Sequence, residues 1–187
     1  MKIENSFTVD APPERAWELL MDVPRVVPCM PGATLDETVD DSHWKATMQV
    51  KVGPIGLTFA TDVERREADE AARTVTLAAN ARETRNRGRA NATIQSALAS
   101  VEGGTRVDIV TDLMLSGSVA QYGRGMIEDI SSQMVSSFAS CLQAQLGEST
   151  EHAEAAVAAQ SKPISGLSLF FGSLVRKVKR FVGRRST

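Results

Sequence analysis

The sequence predicts an α+β fold in which a curved antiparallel sheet wraps a long C-terminal helix, followed by an amphipathic tail. Three observations lead there. A period-2 segment opens the chain and runs into proline-punctuated short helices. Six further strand-like segments then follow at hairpin spacing. Last comes one long segment whose apolar residues recur three and four apart. Consecutive strands joined by short turns make an antiparallel meander, which excludes crossover helices and a parallel sheet.

The elements are justified in order. Ile3 to Val9 alternates Ile3, Asn5, Phe7 and Val9 against polar neighbours, as a half-buried strand does. Asp10 reads as an N-cap, with Pro12 and Pro13 at the first turn and Glu14 suited to the helix dipole. A short helix is predicted from Glu14 to Met21, with Trp17, Leu20 and Met21 on its apolar side. Pro24, Pro28 and Pro31 leave room for one more short helix at most. Strands are predicted at about 34–38, 43–52, 55–67, 73–85, 89–100 and 105–115, with Gly53-Pro54, Arg87-Gly88 and Gly103-Gly104 among their turns. The long helix is predicted from Ser118 to Leu146, carrying Val119, Met126, Ile130, Met134, Phe138, Cys141 and Leu142.

Length and composition agree with this. The 187 residues fit one domain plus an appendage, and 42% hydrophobic with 24% charged residues excludes a disordered chain. Aromatics are only 5%, so the core must be built mainly from aliphatic residues and methionine. Cys29 and Cys141 are too few for a disulfide scaffold and read as buried free thiols of a reducing compartment. The N-terminus lacks the apolar core of a secretory signal, which predicts a cytoplasmic protein, and no apolar run is long enough to span a bilayer.

Charge divides the chain. From Ala155 to Thr187 there are seven basic residues and no acidic one, while residues 1–154 hold 14 basic and 23 acidic groups, a net charge of −9. Residues 1–146 are therefore read as a folded body, 147–163 as a linker, and 164–187 as a basic amphipathic membrane-binding tail. On a helical wheel Ile164, Leu167, Phe170, Phe171, Leu174, Val175, Val178, Phe181 and Val182 fall within an arc of roughly 140°, opposite Arg176, Lys177, Lys179 and Arg180. A helix of that kind lies in a membrane interface rather than across it. Anionic lipids are thus the predicted partner, and the expected location is the inner face of the cytoplasmic membrane. The alternatives are an amphipathic helix packed onto its own body or laid in a groove of a protein partner; a nucleic-acid role would waste the aliphatic face and set an acidic body against phosphate.

Three motifs in order, Val27-Pro-Cys-Met-Pro-Gly-Ala33, Val50-Lys-Val-Gly-Pro-Ile55 and Ser116-Gly-Ser-Val-Ala-Gln-Tyr-Gly-Arg-Gly-Met126, resemble the carbon monoxide dehydrogenase CoxG family. The family lies within the START and polyketide-cyclase-like helix-grip superfamily. The resemblance implies an accessory protein that serves a molybdenum hydroxylase and brings it to the membrane; it does not imply that this chain binds molybdenum, flavin or iron–sulfur clusters. It also implies an apolar ligand held between sheet and helix. Such an enzyme feeds electrons to a respiratory chain whose carrier is a quinone, so a quinone or another lipid-like molecule is the expected ligand, with no tightly bound cofactor.

From the residues alone, the small side chains of Ala79, Ala81, Ala90 and Ala92 leave two readings open, a chamber or a sheet that simply lies closer to the helix. The resemblance favours the chamber. Its expected lining is Met48, Ile94, Met114, Tyr122, Met126, Ile130, Met134 and Phe138. No catalytic or metal site is predicted, because His43 and His152 each lack a second ligand at metal spacing. Gly53-Pro54 lacks an amide that a phosphate cradle needs. A cyclase-like enzyme would need a polar constellation in the chamber, for which His43 and Tyr122 are the candidates. The remaining alternative is an adaptor with a filled core. Arg82, Arg85, Arg87 and Arg89 at one hairpin tip read as solvated charge or as a docking surface.

Overall fold

A computed structural model of the chain describes residues 1–147. The predicted linker from residue 148 on and the predicted membrane-binding tail lie outside the described residues. The first strand, β1 (Lys2–Val9), leads into helices α1 (Pro13–Met21) and α2 (Val23–Val26) and a 3-10 turn at Val27–Cys29. Six strands follow: β2 (Ala33–Thr38), β3 (His43–Val52), β4 (Ile55–Asp69), β5 (Thr74–Glu83), β6 (Gly88–Val101) and β7 (Gly104–Gly117). A second 3-10 turn, Ser118–Gln121, precedes the long helix α3 (Arg124–Gly147).

All seven strands form one antiparallel sheet in the order β1-β7-β6-β5-β4-β3-β2. Every neighbouring pair except β1 with β7 is a hairpin of consecutive strands, as the short turns require. Register shifts between Leu35 and Glu37 and between Arg65 and Glu67 interrupt the β2/β3 and β4/β5 ladders. Bulges of this kind bend their strands and increase twist, which helps a seven-stranded sheet curl around a helix.

The inward face can be followed across the register. Phe7 pairs with Val107, Val107 with Leu98, and Val75 with Ser96, all on the side that α3 covers. Near the C-terminal end of α3 a first core gathers Val9, Trp17, Val75, Leu98, Val107, Phe138, Cys141 and Leu142. Phe7 meets Phe138 edge-to-face with ring centroids 6.1 Å apart. Each of these large side chains contributes about 1.5–3 kcal/mol on burial.

Three expectations are corrected. The N-cap of α1 is Pro12, not Asp10, and no side chain caps the helix. The Asp10 amide instead donates to Gln143 Oε1 at 2.7 Å, tying β1 to α3. The long helix does not begin at Ser118. The chain makes a 3-10 turn there and is extended at Tyr122. At the start of this break Gly117, with φ +75°, lies against Gly88, so close that a Cβ would strike the Gly88 Cα. Only glycine fits both the conformation and the contact. The third correction concerns the cysteines. Both are fully buried as expected, but they are not free thiols: Cys29 and Cys141 form a disulfide with Cα atoms 5.4 Å apart. Their separation of 112 residues hid the pairing from any sequence spacing.

Candidate functional site

A second core lies at the opposite end of the sheet. It contains Val52, Leu57, Phe59 and Val119, with Met48, Val50, Ala81, Ala90, Leu115, Tyr122 and Ile130 packed against it. Between the two cores the inward side chains Val63, Ala79, Ala92, Ile94 and Thr111 are only half-buried. The cause is the course of α3. The helix packs chiefly along the edge strand β1, and Asn5 Nδ2 donates to Ser131 Oγ at 2.9 Å to hold it there. The inner face of the middle strands is therefore an apolar surface that the protein does not fully cover.

Two hydroxyl residues, Thr111 and Thr61, break this apolar surface, and Thr61 is the one without a partner. Thr61 stands on the inner face of β4 between Ala46 and Ala81 in register. Its Oγ1 is buried and has no hydrogen-bond partner. An unpartnered buried hydroxyl costs about 1–3 kcal/mol, and buried polar groups without a partner are uncommon. Sequence reasoning missed Thr61. Strand alternation could have put it on the inner face, but its lack of a partner depends on neighbours from two other strands.

The predicted lining residues divide. Met48, Tyr122 and Ile130 come together at the second core, and Phe138 belongs to the first. Ile94 lies on the open face between them, and Met134 is half-buried on α3. Met126, in the first turns of α3, is 45% exposed. Met114 is corrected: it is 70% exposed on the outer face of β7. The inward residues of that strand are Leu113 and Leu115, paired with Ala92 and Ala90, so the intervening Met114 must point away.

His43 is also on the outer face, so it shares no constellation with Tyr122. Its Nδ1 lies 2.9 Å from both Asp40 Oδ1 and Ser42 Oγ. A nucleophile relay needs acid and hydroxyl on different ring nitrogens, and here both crowd the same one. The Ser42 amide, followed by the His43 and Ser42 side chains, lowers the Asp40 carboxyl to about 2. This is a turn held by hydrogen bonds. Among the described residues no group of three His, Cys, Asp or Glu side chains is arranged to hold a metal.

The hairpin arginines are not one cluster. Glu83 is buried and accepts from the Arg85 and Arg87 amides at 2.8 and 3.0 Å and from Arg87 Nη2 at 2.9 Å. Desolvation pushes its carboxyl up, but these bonds outweigh it and the net shift is downward. Arg87 also donates to the Gly56 carbonyl at 2.9 Å, locking the β5–β6 tip to the β3–β4 tip. Arg82, Arg85 and Arg89 remain exposed.

The family model for CoxG of carbon monoxide dehydrogenase matches residues 6–147. The chain belongs to the CoxG family. Its fold is the helix-grip fold. A conserved protein from Geobacillus kaustophilus superposes with a TM-score of 0.70 at 19% identity, covering 79% of this chain and 95% of that one. The Zhui aromatase/cyclase from Streptomyces sp. R1128 superposes at 0.56 with 14% identity, over 79% of this chain and 93% of its own. Ara h 8.0201 does so at 0.54 with 15% identity, over 78% and 97%. At such identities these likenesses show the fold alone. No curated protein matches the sequence.

Proposed function

We propose that this CoxG-family protein carries an apolar, quinone-type ligand in its body and links a molybdenum CO dehydrogenase-type enzyme to the cytoplasmic membrane. The observation that carries the ligand is the open inner face between the two cores. An apolar surface left partly wet inside a fold gains about 25 cal/mol for each Å² that a ligand removes from water. The face is lined mainly by aliphatic side chains, with the hydroxyl residues Thr61 and Thr111 among them, which suits a long apolar molecule carrying a polar acceptor such as a carbonyl. A quinone joins an isoprenoid chain to such carbonyls.

The family supplies the enzyme partner, since its name ties it to CO dehydrogenase. The membrane step rests on the sequence of residues 164–187, whose basic face adds about 1 kcal/mol per charge near an anionic leaflet. Among the described residues no helix is long and apolar enough to cross a membrane. Native mass spectrometry of the purified full chain tests the ligand step. The expected result is an adduct whose extracted mass is that of an isoprenoid quinone. A chain that is always free of apolar adducts, even after incubation with quinone-containing vesicles, contradicts it.

A further inference from the structure

The charges of the folded body are unevenly distributed along the strands. The end formed by the β3–β4 tip, the β5–β6 tip and the start of α3 carries Lys51, Arg82, Arg85, Arg87, Arg89 and Arg124, against Glu83 and, on the first turns of α3, Glu128 and Asp129. Within these two tips, residues 51–57 and 82–89, the single acidic residue is Glu83, which is buried and committed to Arg87. The opposite end carries Asp10, Asp40, Asp41, Asp69, Glu70 and Glu102 in its turns, with Arg73 there paired to Glu14. A body with net negative charge has thus collected exposed positive charge at one end.

Two details say what that end meets. Arg82 and Arg89 stand directly opposite each other in the β5/β6 register. Like charges so paired repel, and no carboxylate of the described residues lies within salt-bridge distance of Arg82, Arg85 or Arg89. Beside them the tip Gly53-Pro54-Ile55-Gly56 presents Ile55 at 39% exposure, and Arg87 fixes this apolar tip against the basic one. Basic side chains around a projecting apolar one match a surface with anionic headgroups outside and hydrocarbon beneath.

We propose that this end of the body docks onto anionic phospholipid, with Arg82, Arg85 and Arg89 on the headgroups and Ile55 inserted below them. The contact is additional to the 164–187 segment and sets which end of the body faces the bilayer. It shares the membrane part of the function proposed above but needs no ligand.

The test uses the full chain with Ile55→Trp on vesicles of phosphatidylglycerol and phosphatidylcholine containing brominated acyl chains. Trp17 and Trp44 are 7% and 4% exposed, so they give a weak background. The reference is Val101→Trp, at the 36%-exposed tip of the β6–β7 hairpin on the far end. Quenching at position 55 is expected to exceed that at 101 by roughly twofold or more. It should fall to the reference level when Arg82, Arg85 and Arg89 are changed to Gln or when the vesicles are neutral. Chain that sediments with the vesicles but shows equal quenching at both positions overturns this docking and leaves the role of residues 164–187 standing. Chain that fails to sediment at all overturns both. Quenching that survives the triple change would mean that the arginines do not hold this end to the headgroups, and overturns the docking as stated.

Discussion

Cys141 of α3 is bonded to Cys29 of the 3-10 turn, joining two elements 112 residues apart in the chain. The bond sits in the first core and fixes the C-terminal part of the long helix against the α2 region. Gln145, one turn on, reinforces the same junction by donating to the Arg25 carbonyl at 3.2 Å. One end of the open face is therefore clamped covalently, while the middle of α3 is held to β1 by single hydrogen bonds such as Asn5 to Ser131.

Breaking the clamp should be costly. Loop-closure entropy for a loop of about 100 residues is worth up to ~4.7 kcal/mol, and measured losses run about 2–5 kcal/mol. Cys141→Ser is expected to lose that much in urea unfolding, and reductant should then have no further effect on the variant. Denatured chain that alkylates at both cysteines before any reductant is added would contradict the bond.

Glu83 predicts an acid-sensitive hairpin. Its carboxyl is held below the ordinary value of 4.5, with desolvation outweighed by bonds from Arg87 and from the amides of Arg87 and Arg85. A depressed carboxyl stabilises the fold above its unfolded value, and that stability is lost as pH falls through the lowered folded value. Tm should therefore drop on acidification below about pH 4.5. In Glu83→Gln the Tm should already be lower at pH 7 and should depend less on acid. Parallel Tm–pH curves for the two proteins would refute this.

Thr61 predicts a trade between stability and binding. Replacing the unpartnered hydroxyl by a methyl in Thr61→Val removes a desolvated group, so the ligand-free chain should be as stable as the parent or up to about 1 kcal/mol more so. Affinity for a carbonyl-bearing apolar ligand should fall roughly tenfold, while affinity for a hydrocarbon of equal length should not change. A variant that is destabilised and binds both ligands normally would show that the hydroxyl has a structural partner.

Removal of residues 161–187 should weaken sedimentation with anionic vesicles at least tenfold, because Arg176, Lys177, Lys179 and Arg180 each add about 1 kcal/mol at low salt. The circular dichroism of the body should be unchanged. Undiminished vesicle binding by the truncated chain would remove the tail from the account.

Much of the fold was legible because its signals are local. Alternation along β6 puts Ala90, Ala92 and Ile94 on one face, and glycine turns mark the hairpins within a few residues. The features that were not legible depend on distant partners. The disulfide needs two elements at opposite ends of the sequence, and the unpartnered state of Thr61 needs both neighbouring strands. Met114 has the residue type of a chamber lining, but its register with β6 puts it on the outer face. The break at Tyr122 was hidden because Val119 fits a helical stripe, whereas the 2% exposed Val119 belongs to a 3-10 turn behind the Gly88–Gly117 contact.

The most direct test of the central claim is equilibrium binding of a long-chain isoprenoid quinone to the parent protein and to Ile94→Trp, with Tm measured alongside. Ile94 is half-buried on the open inner face, midway between the two cores. The account predicts saturable binding by the parent, loss of binding in the variant, and a Tm within about 2 °C of the parent, because the larger side chain fills ligand space. A parent that never binds the quinone, with a variant destabilised by the roughly 1–3 kcal/mol that overpacking a filled core costs, would contradict it.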